Sequence, residues 1–226
     1  MVSTATPAPG LALTYAGETM WLLPERALWW PAQRVLWIAD LHLGKAATYR
    51  ALGQPVPAGT TRENLARVSR LVLHYQPAQL VFLGDFLHAA EARTASVFDA
   101  LAQWRDMHPD LTCTLVRGNH DSRAGDPPVV LGISVVDEPW LIGPFAACHH
   151  PQLHATHAVL AGHLHPALLL RGSGRDHLRL PCFCFEAQLA ILPAFGEFTG
   201  GWRVIPQAGR QLYPVGGQAV WRLPES

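Results

Sequence analysis

At 226 residues, 49% of them hydrophobic, the chain is long enough to bury one sizeable core, and a single domain over residues 1–226 is expected, with 1–10 as a flexible tail. Basic and acidic residues balance at 17 each, which excludes the strong positive excess of a non-specific DNA binder but not a nucleic-acid substrate held by local contacts. No run approaches the ~20 apolar residues of a membrane span, and the first residues lack a basic segment followed by an apolar one. A chain with no membrane association, working in the cytoplasm, is therefore expected.

Leu11–Tyr15 and Met20–Leu23 read as short strands leading to Trp29-Trp30-Pro31. Arg34–Ala39 is a compact apolar run, the signature of a strand buried on both faces. Thr60 to Glu63 offers a threonine cap with a nearby glutamate, and Leu65, Val68, Leu71, Val72 and Tyr75 follow at helical spacing until Pro77. Gln79–Leu83 repeats the buried-strand pattern. Val97, Leu101 and Trp104 mark a second amphipathic helix, closed by His108-Pro109, and Leu111–Val116 is a third apolar strand. This strand-helix-strand-helix-strand order predicts parallel pairing with right-handed crossovers.

The second half changes character. Ile133–Val136, Trp140–Ile142, Pro144–Cys148, Ala158–Ala161, Leu168–Leu170, His177–Pro181 and Gln188–Pro193 read as short strands with little room for helices between them. Gly200-Gly201, Gly209 and Gly216-Gly217 punctuate a β-rich C-terminal part. Two stacked sheets with helices outside are predicted. Cys113, Cys148, Cys182 and Cys184 form no CxxC pair and lie mostly in apolar runs, as expected for buried free thiols in a reducing compartment.

The polar residues fall at the strand ends. The first strand runs into Asp40 and His42, the second into Asp85 and His88, the third into Gly118-Asn119-His120-Asp121. Later, Cys148 is followed by His149-His150, and Ala161 by Gly162-His163-Leu164-His165. Ligands of parallel sheets collect beyond the carboxyl ends of the strands. Extended geometry continued past each strand would point Asp40 and His42 to one face, and His163 and His165 likewise, while the adjacent His149 and His150 would diverge so that one enters the site. The oxygen and nitrogen donor set suits Mn²⁺, Fe or Zn²⁺ better than a thiolate site, and is large enough for two ions sharing a bridging group. His74, His108, His154, His157 and His177 are assigned to surface or internally satisfied positions.

In this order, Asp40-Leu41-His42, Gly84-Asp85, Gly118-Asn119-His120-Asp121, His149 and Gly162-His163-Leu164-His165 resemble the signature of calcineurin-like metallophosphoesterases over about residues 35–166. The resemblance implies a four-layer αββα sandwich, two mixed β-sheets flanked by helices, with a dinuclear centre. One ion would take Asp40, His42, Asp85 and His165, the other Asp85, Asn119, His149 and His163, with Asp85 bridging. A metal-held hydroxide would attack phosphorus, and the unligated His120 would contact the phosphate and assist the leaving group. Many relatives carry an acid three residues after the bridging aspartate, orienting that histidine. This chain has His88 there, so either Asp121 or another group orients His120, or His88 itself contributes, and Asp121 and His88 join His120 as catalytic candidates.

A narrower resemblance covers nearly the whole chain. "WIADLHLGKAATYRALGQPVP", "LVFLGDFLHA", "TLVRGNHD", "CHHP", "LAGHLHP", "LRLPCFCF" and "LPAFGEFTGG" are similar to the bacterial ligase-associated DNA damage response phosphoesterases, the PdeM family. That implies a phosphodiesterase or endonuclease, most readily with Mn²⁺, in functional association with an ATP-dependent DNA ligase, a helicase and a metallo-β-lactamase-type nuclease. The alternatives are a nucleotide, cyclic-nucleotide or UDP-lipid pyrophosphate hydrolase of the same superfamily, or a silent scaffold. The lipid-pathway enzymes carry Arg where this chain has His120, and scaffolds lose ligands that are all present here. Arg117 and Arg123 flank the Asn119-His120 loop and, with His150, are candidates for holding substrate phosphates. Arg50, Arg171, Arg175 and Arg179, and Tyr49 and Trp202 as stacking groups, are weaker candidates that ordinary solvation or packing also explains.

Overall fold

A computed structural model describes residues 10–51, 60–172, 177–197 and 199–224. Residues 1–9 of the expected tail, Arg175 and the side chain of Arg50 lie outside the described residues. The first sheet runs in the order β1 (Leu11–Tyr15), β2 (Glu18–Leu22), β3 (Ala27–Trp30), β4 (Val35–Ala39), β5 (Gln79–Leu83), β6 (Thr112–Val116) and β7 (Ile133–Val136). Its first four strands pair antiparallel and β4 to β7 pair parallel, as the alternating strand and helix order predicts. Ala39, Leu83 and Val116, the last residues of β4, β5 and β6, lie in register, so the three following loops leave from one edge.

Side-chain alternation in these strands separates two apolar layers. Leu36, Ile38, Leu80, Phe82, Cys113 and Leu115 face helices α2 (Thr60–Tyr75) and α3 (Ala95–Met107), which bury Leu65, Val68, Leu71, Val97, Leu101 and Trp104 against them. Val35, Trp37, Ala39, Val81, Leu83 and Val116 face the opposite way and meet Phe145, Leu160, Phe183, Phe185 and Tyr213 of the second sheet. A continuous apolar run therefore encodes a strand buried on both sides.

The second sheet is ordered β14 (Arg203–Val204), β11 (Ala167–Arg171), β12 (His177–Phe185), β13 (Leu189–Ile191), β10 (Ala158–Ala161), β9 (Phe145–Ala147) and β8 (Trp140–Ile142), with β15 (Gln211–Gly216) pairing β12 and β16 (Ala219–Val220). Its β9 and β10 are parallel and send their carboxyl ends toward the loop edge of the first sheet. Two mixed sheets with flanking helices form the expected α/β sandwich, with unequal outer layers. Among the described residues no α-helix follows β7. The outward face of β9 and β10 is instead lined by Ala146, Cys148, Val159 and Ala161, thin enough to be covered by loop, and Gln152 reaches back to the Cys148 thiol.

Boundaries shift in informative places. The strand expected at Met20–Leu23 is Glu18–Leu22, paired along its length with β1. Thr61, expected in a helix cap, lies inside α2, and its hydroxyl accepts the Gly44 N–H at 3.2 Å. Two short helices have no counterpart in the periodicity: α1 (Lys45–Ala51) and α4 (Asn119–Ala124), the latter starting inside what reads as turn chemistry. All four cysteines are buried and free. No described helix is long and apolar enough to cross a membrane.

Phe145 is the contact point of the inter-sheet layer, edge-on to Trp30 at 5.1 Å and Trp37 at 6.4 Å and stacked on Tyr15 at 6.1 Å. Phe145→Ala is expected to destabilise the protein by about 3–5 kcal/mol, measured by urea unfolding with an unchanged m value.

Candidate active site

At the strand ends the backbone does not stay extended. Asp40 (φ 52°), His42 (47°), Asp85 (49°), His163 (68°) and His165 (50°) are all left-handed. These are non-glycine residues in a sparsely populated region, at a cost of order 1–3 kcal/mol each, and they turn each side chain back over the sheet edge. The shared face expected for His163 and His165 is thereby corrected. His165 joins Asp40, His42 and Asp85, whereas His163 joins His149 and His150, in two groups whose donor atoms lie within 4.8 Å of one another.

In the first group His42 Nε2 is 3.2 Å from His165 Nε2 and 3.8 Å from Asp85 Oδ2, and His165 Nε2 is 3.5 Å from Asp40 Oδ1. Burial, followed by the charge of Lys45, drives the pKa of His42 far down. Two imidazole nitrogens face each other here beside two carboxylates that are 0% and 2% exposed. A cation completes that arrangement. In the second group His149 Nε2 is 3.0 Å from His163 Nδ1, 2.9 Å from Asn119 Oδ1 and 3.3 Å from Asp85 Oδ1. Burial holds His149 down to about 4, and its Nδ1 donates to the Leu83 carbonyl at 3.1 Å, which leaves Nε2 as a lone pair. Asp85 touches both groups, one oxygen to each. Nitrogen and oxygen donors of this kind fit divalent ions, and the four cysteines lie elsewhere.

His149 and His150 do not diverge as extended geometry predicts. His150 packs on His163 at 4.6 Å, while His149 alone reaches Asp85 and Asn119. The device is Glu138, which sequence reading misses. Its Oε2 accepts the N–H of His149 and His150 at 2.7 and 2.9 Å, and its Oε1 holds His150 Nδ1 at 2.6 Å. An acid between two strand patterns carries no motif that would mark it. Lys45 is the second such residue: the only lysine of the chain, buried, and close enough to Asp40 and Asp85 for their charges to oppose the downward shift that burial gives it.

The orientation of His120 is settled by neither candidate side chain. His120 Nδ1 donates to the His88 backbone carbonyl, and its Nε2 points to Asp85 Oδ2 at 3.9 Å. The His88 ring stacks on His120 at 5.2 Å and 19°, and its Nδ1 is 3.4 Å from His42 Nδ1. Asp121, a catalytic candidate, gives its carboxylate to backbone amides. Its carboxylate is buried under the loop, accepting Phe86 N–H at 2.9 Å, Leu87 N–H at 3.2 Å and Gly118 N–H at 3.0 Å.

Arg117, a candidate for substrate phosphates, is paired with Asp126, at 3.0 and 2.8 Å, and with Asp137. Arg123 is exposed on α4, and Arg171 is exposed on β11. Tyr49 lies edge-on to His88 at 5.9 Å beneath the Lys45 ammonium, and Trp202 carries the Arg210 guanidinium at 5.2 Å.

Glycines before the converging residues make the approach possible. A Cβ on Gly84 would lie 2.1 Å from His149 Nδ1, and one on Gly118 2.5 Å from Asp85 Oδ1. Asp121→Asn turns an amino group toward the Gly118 N–H and is expected to cost about 1–3 kcal/mol. Urea unfolding in metal-free buffer measures it without any contribution from lost ion binding.

Residues 33–154 match the family model of calcineurin-like phosphoesterases. Among solved structures, the Pseudomonas putida nuclease MPE is 48% identical, over 95% of this chain and all of that one, with a TM-score of 0.85. The phosphoesterase Yfce from E. coli is 16% identical, over 80% of this chain and 87% of its own, with a TM-score of 0.39. No curated protein matches the sequence. With its family match over more than half its length and its two groups of convergent donors, the chain belongs to the calcineurin-like phosphoesterase family and is a metal-dependent phosphoesterase.

Proposed function

We propose that the chain is a dinuclear phosphodiesterase acting on nucleic acid, a repair-associated nuclease. The observation that carries this reading is the Asp85 carboxylate, with Oδ2 toward His42 and Oδ1 toward His149, a single acid serving two donor groups. One group would hold an ion through Asp40, His42, Asp85 and His165, and the other through Asp85, Asn119, His149 and His163. When bound, two divalent ions supply charge to clamp phosphate oxygens and acidity to activate water. Mn²⁺ is the proposed metal on the strength of the resemblance to the DNA damage response phosphoesterases; the imidazole, amide and carboxylate donors by themselves suit Fe and Zn²⁺ as well.

The chain's own groups do the rest. His120 stands beside the shared carboxylate, and its Nδ1–H is fixed by the His88 carbonyl. Protonation therefore places the mobile proton on Nε2, where it is delivered to the departing alkoxide. The His88 ring stacks on His120, while the His88 backbone carbonyl sets its orientation. Water is kept from the carboxylates by burial, which strengthens every charge interaction at the reacting phosphate.

The nucleic-acid substrate is supported by 48% identity to a nuclease over nearly the whole chain. The repair setting, the cytoplasmic location and the association with an ATP-dependent ligase, a helicase and a metallo-β-lactamase-type nuclease rest on the "WIADLHLGK" to "LPAFGEFTGG" resemblance. Neighbouring genes for those three proteins are the expected genomic finding.

The metal reading predicts that EDTA abolishes hydrolysis of bis(p-nitrophenyl) phosphate and that Mn²⁺ restores it. Asp85→Asn is expected to lower kcat by at least ~10²-fold with loss of bound metal, read by elemental analysis. Full activity of this variant, or of the wild type in EDTA, would overturn the proposal. His120→Gln is expected to cost about 10²–10⁴-fold on a diester with a poor alkoxide leaving group, and much less with p-nitrophenolate, which departs without a proton. Equal losses on the two substrates would rule out the proton-donor role.

A further inference from the structure

Beside the two donor groups lies a pocket of about 200 Å³ that none of the proposed chemistry uses. His165, a candidate metal ligand, is one of the lining residues, which places the pocket next to the candidate metal centre. The remaining polar lining is Arg26, Arg179, Glu197, Thr199 and Gly200. Glu197 does not make it acidic, because that carboxylate is shared by Arg26 and by Arg67, whose Nη1 is 2.8 Å away. Arg26 is further fixed by the Ala194 carbonyl at 3.2 Å, and Arg67 by the Glu25 carbonyl at 3.0 Å.

Arg179 is different. Its guanidinium donates to the Gly201 carbonyl, and no ion pair to it occurs among the described residues. A Cβ on Gly201 would fall 2.7 Å from Arg179 Nη2 and 2.4 Å from the His165 carbonyl oxygen, so the glycine allows arginine and ligand loop to pack this closely. Two lining guanidiniums, Arg26 and Arg179, stand against one lining carboxylate, Glu197, which leaves the pocket with surplus positive charge beside His165. Its volume is below the roughly 300–1,000 Å³ of sites for drug-sized ligands and suits a phosphate with part of its sugar.

We propose that this pocket is a subsite for the backbone phosphate of the nucleotide adjoining the scissile bond, with Arg179 as its principal anion contact. The proposal rests on the nuclease reading above and deepens it: a flanking phosphodiester, rather than a base, is recognised, and polynucleotides are favoured over small diesters. Arginine suits the task because its planar fork grips phosphate oxygens in pairs.

The test uses short oligothymidylates with a neutral methylphosphonate at the linkage immediately 5′ or 3′ of one phosphodiester. In the wild type, neutralising the neighbour on one side is expected to lower kcat/KM about tenfold, the scale of one charge-assisted hydrogen bond. Arg179→Ala is expected to lose that sensitivity, to cut the preference for the oligonucleotide over bis(p-nitrophenyl) phosphate about tenfold, and to lower the salt dependence of oligonucleotide binding by about one counterion. Arg179→Lys is expected to restore part of each effect. Equal methylphosphonate sensitivity in wild type and variant, or a parallel loss on both substrate types, overturns the subsite. A wild type that hydrolyses the small diester and no oligonucleotide overturns the subsite and the nuclease reading but leaves the phosphoesterase chemistry standing. A wild type inactive on both with Mn²⁺ overturns the whole proposed function.

Discussion

Two carboxylates buried at one edge of the molecule set the terms for everything around them. Asp40 and Asp85 are almost wholly removed from water, which costs several kcal/mol per ion unless partners compensate. The chain meets that cost with backbone donors: His163 N–H gives 3.1 and 2.9 Å contacts to Asp40, and His120 N–H a 3.0 Å contact to Asp85 Oδ1. Each of those amides belongs to a residue whose imidazole also points into the site. Compensation of charge and placement of candidate ligands are thus achieved by the same turns.

The fold is suited to this because its parallel strands end together. Ala39, Leu83 and Val116 align in one sheet, and Ala147 and Leu160 pair in the other, so five loops meet across a short gap. Secondary contacts then fix individual rings. Backbone carbonyls of Leu83 and His88 choose the donating nitrogens of His149 and His120, and Asp121 and Glu138 hold the loops by their amides. Carboxylates next to the centre therefore divide between facing it and supporting the backbone beneath it.

Much of this was legible in the sequence because burial of a strand on both faces leaves an unbroken apolar run, and an acid or imidazole at its end stands out. Strands β4, β5, β6 and β10 and the residues following them were readable for that reason. The direction of each side chain was not, since period-two reasoning assumes extended backbone and five of the site residues are left-handed. The residue types carried a hint, because Asp and His enter that conformation several-fold more readily than most. Glu138, the burial of Lys45 and the pocket around Arg179, itself only one of several arginine candidates, were illegible for another reason. Their meaning comes from long-range packing, such as Gly201 against the His165 carbonyl, and no local spacing encodes it. Arg117 shows the converse: its position beside the loop was right, but Asp126 and Asp137 claim its charge.

The placement of Phe145, Trp30, Trp37 and Tyr15 between the sheets has a consequence for the chemistry. Asp40, Asp85 and Asn119 hang from one sheet, and His149, His163 and His165 from the other, so every distance between those two sets depends on how the sheets are spaced. The apolar layer between the sheets contributes to that spacing. A tightly packed interior resists compression, so a centre made from two independent sheets inherits the stiffness of an apolar core. Selection for tight core packing and selection for metal geometry then act on the same residues.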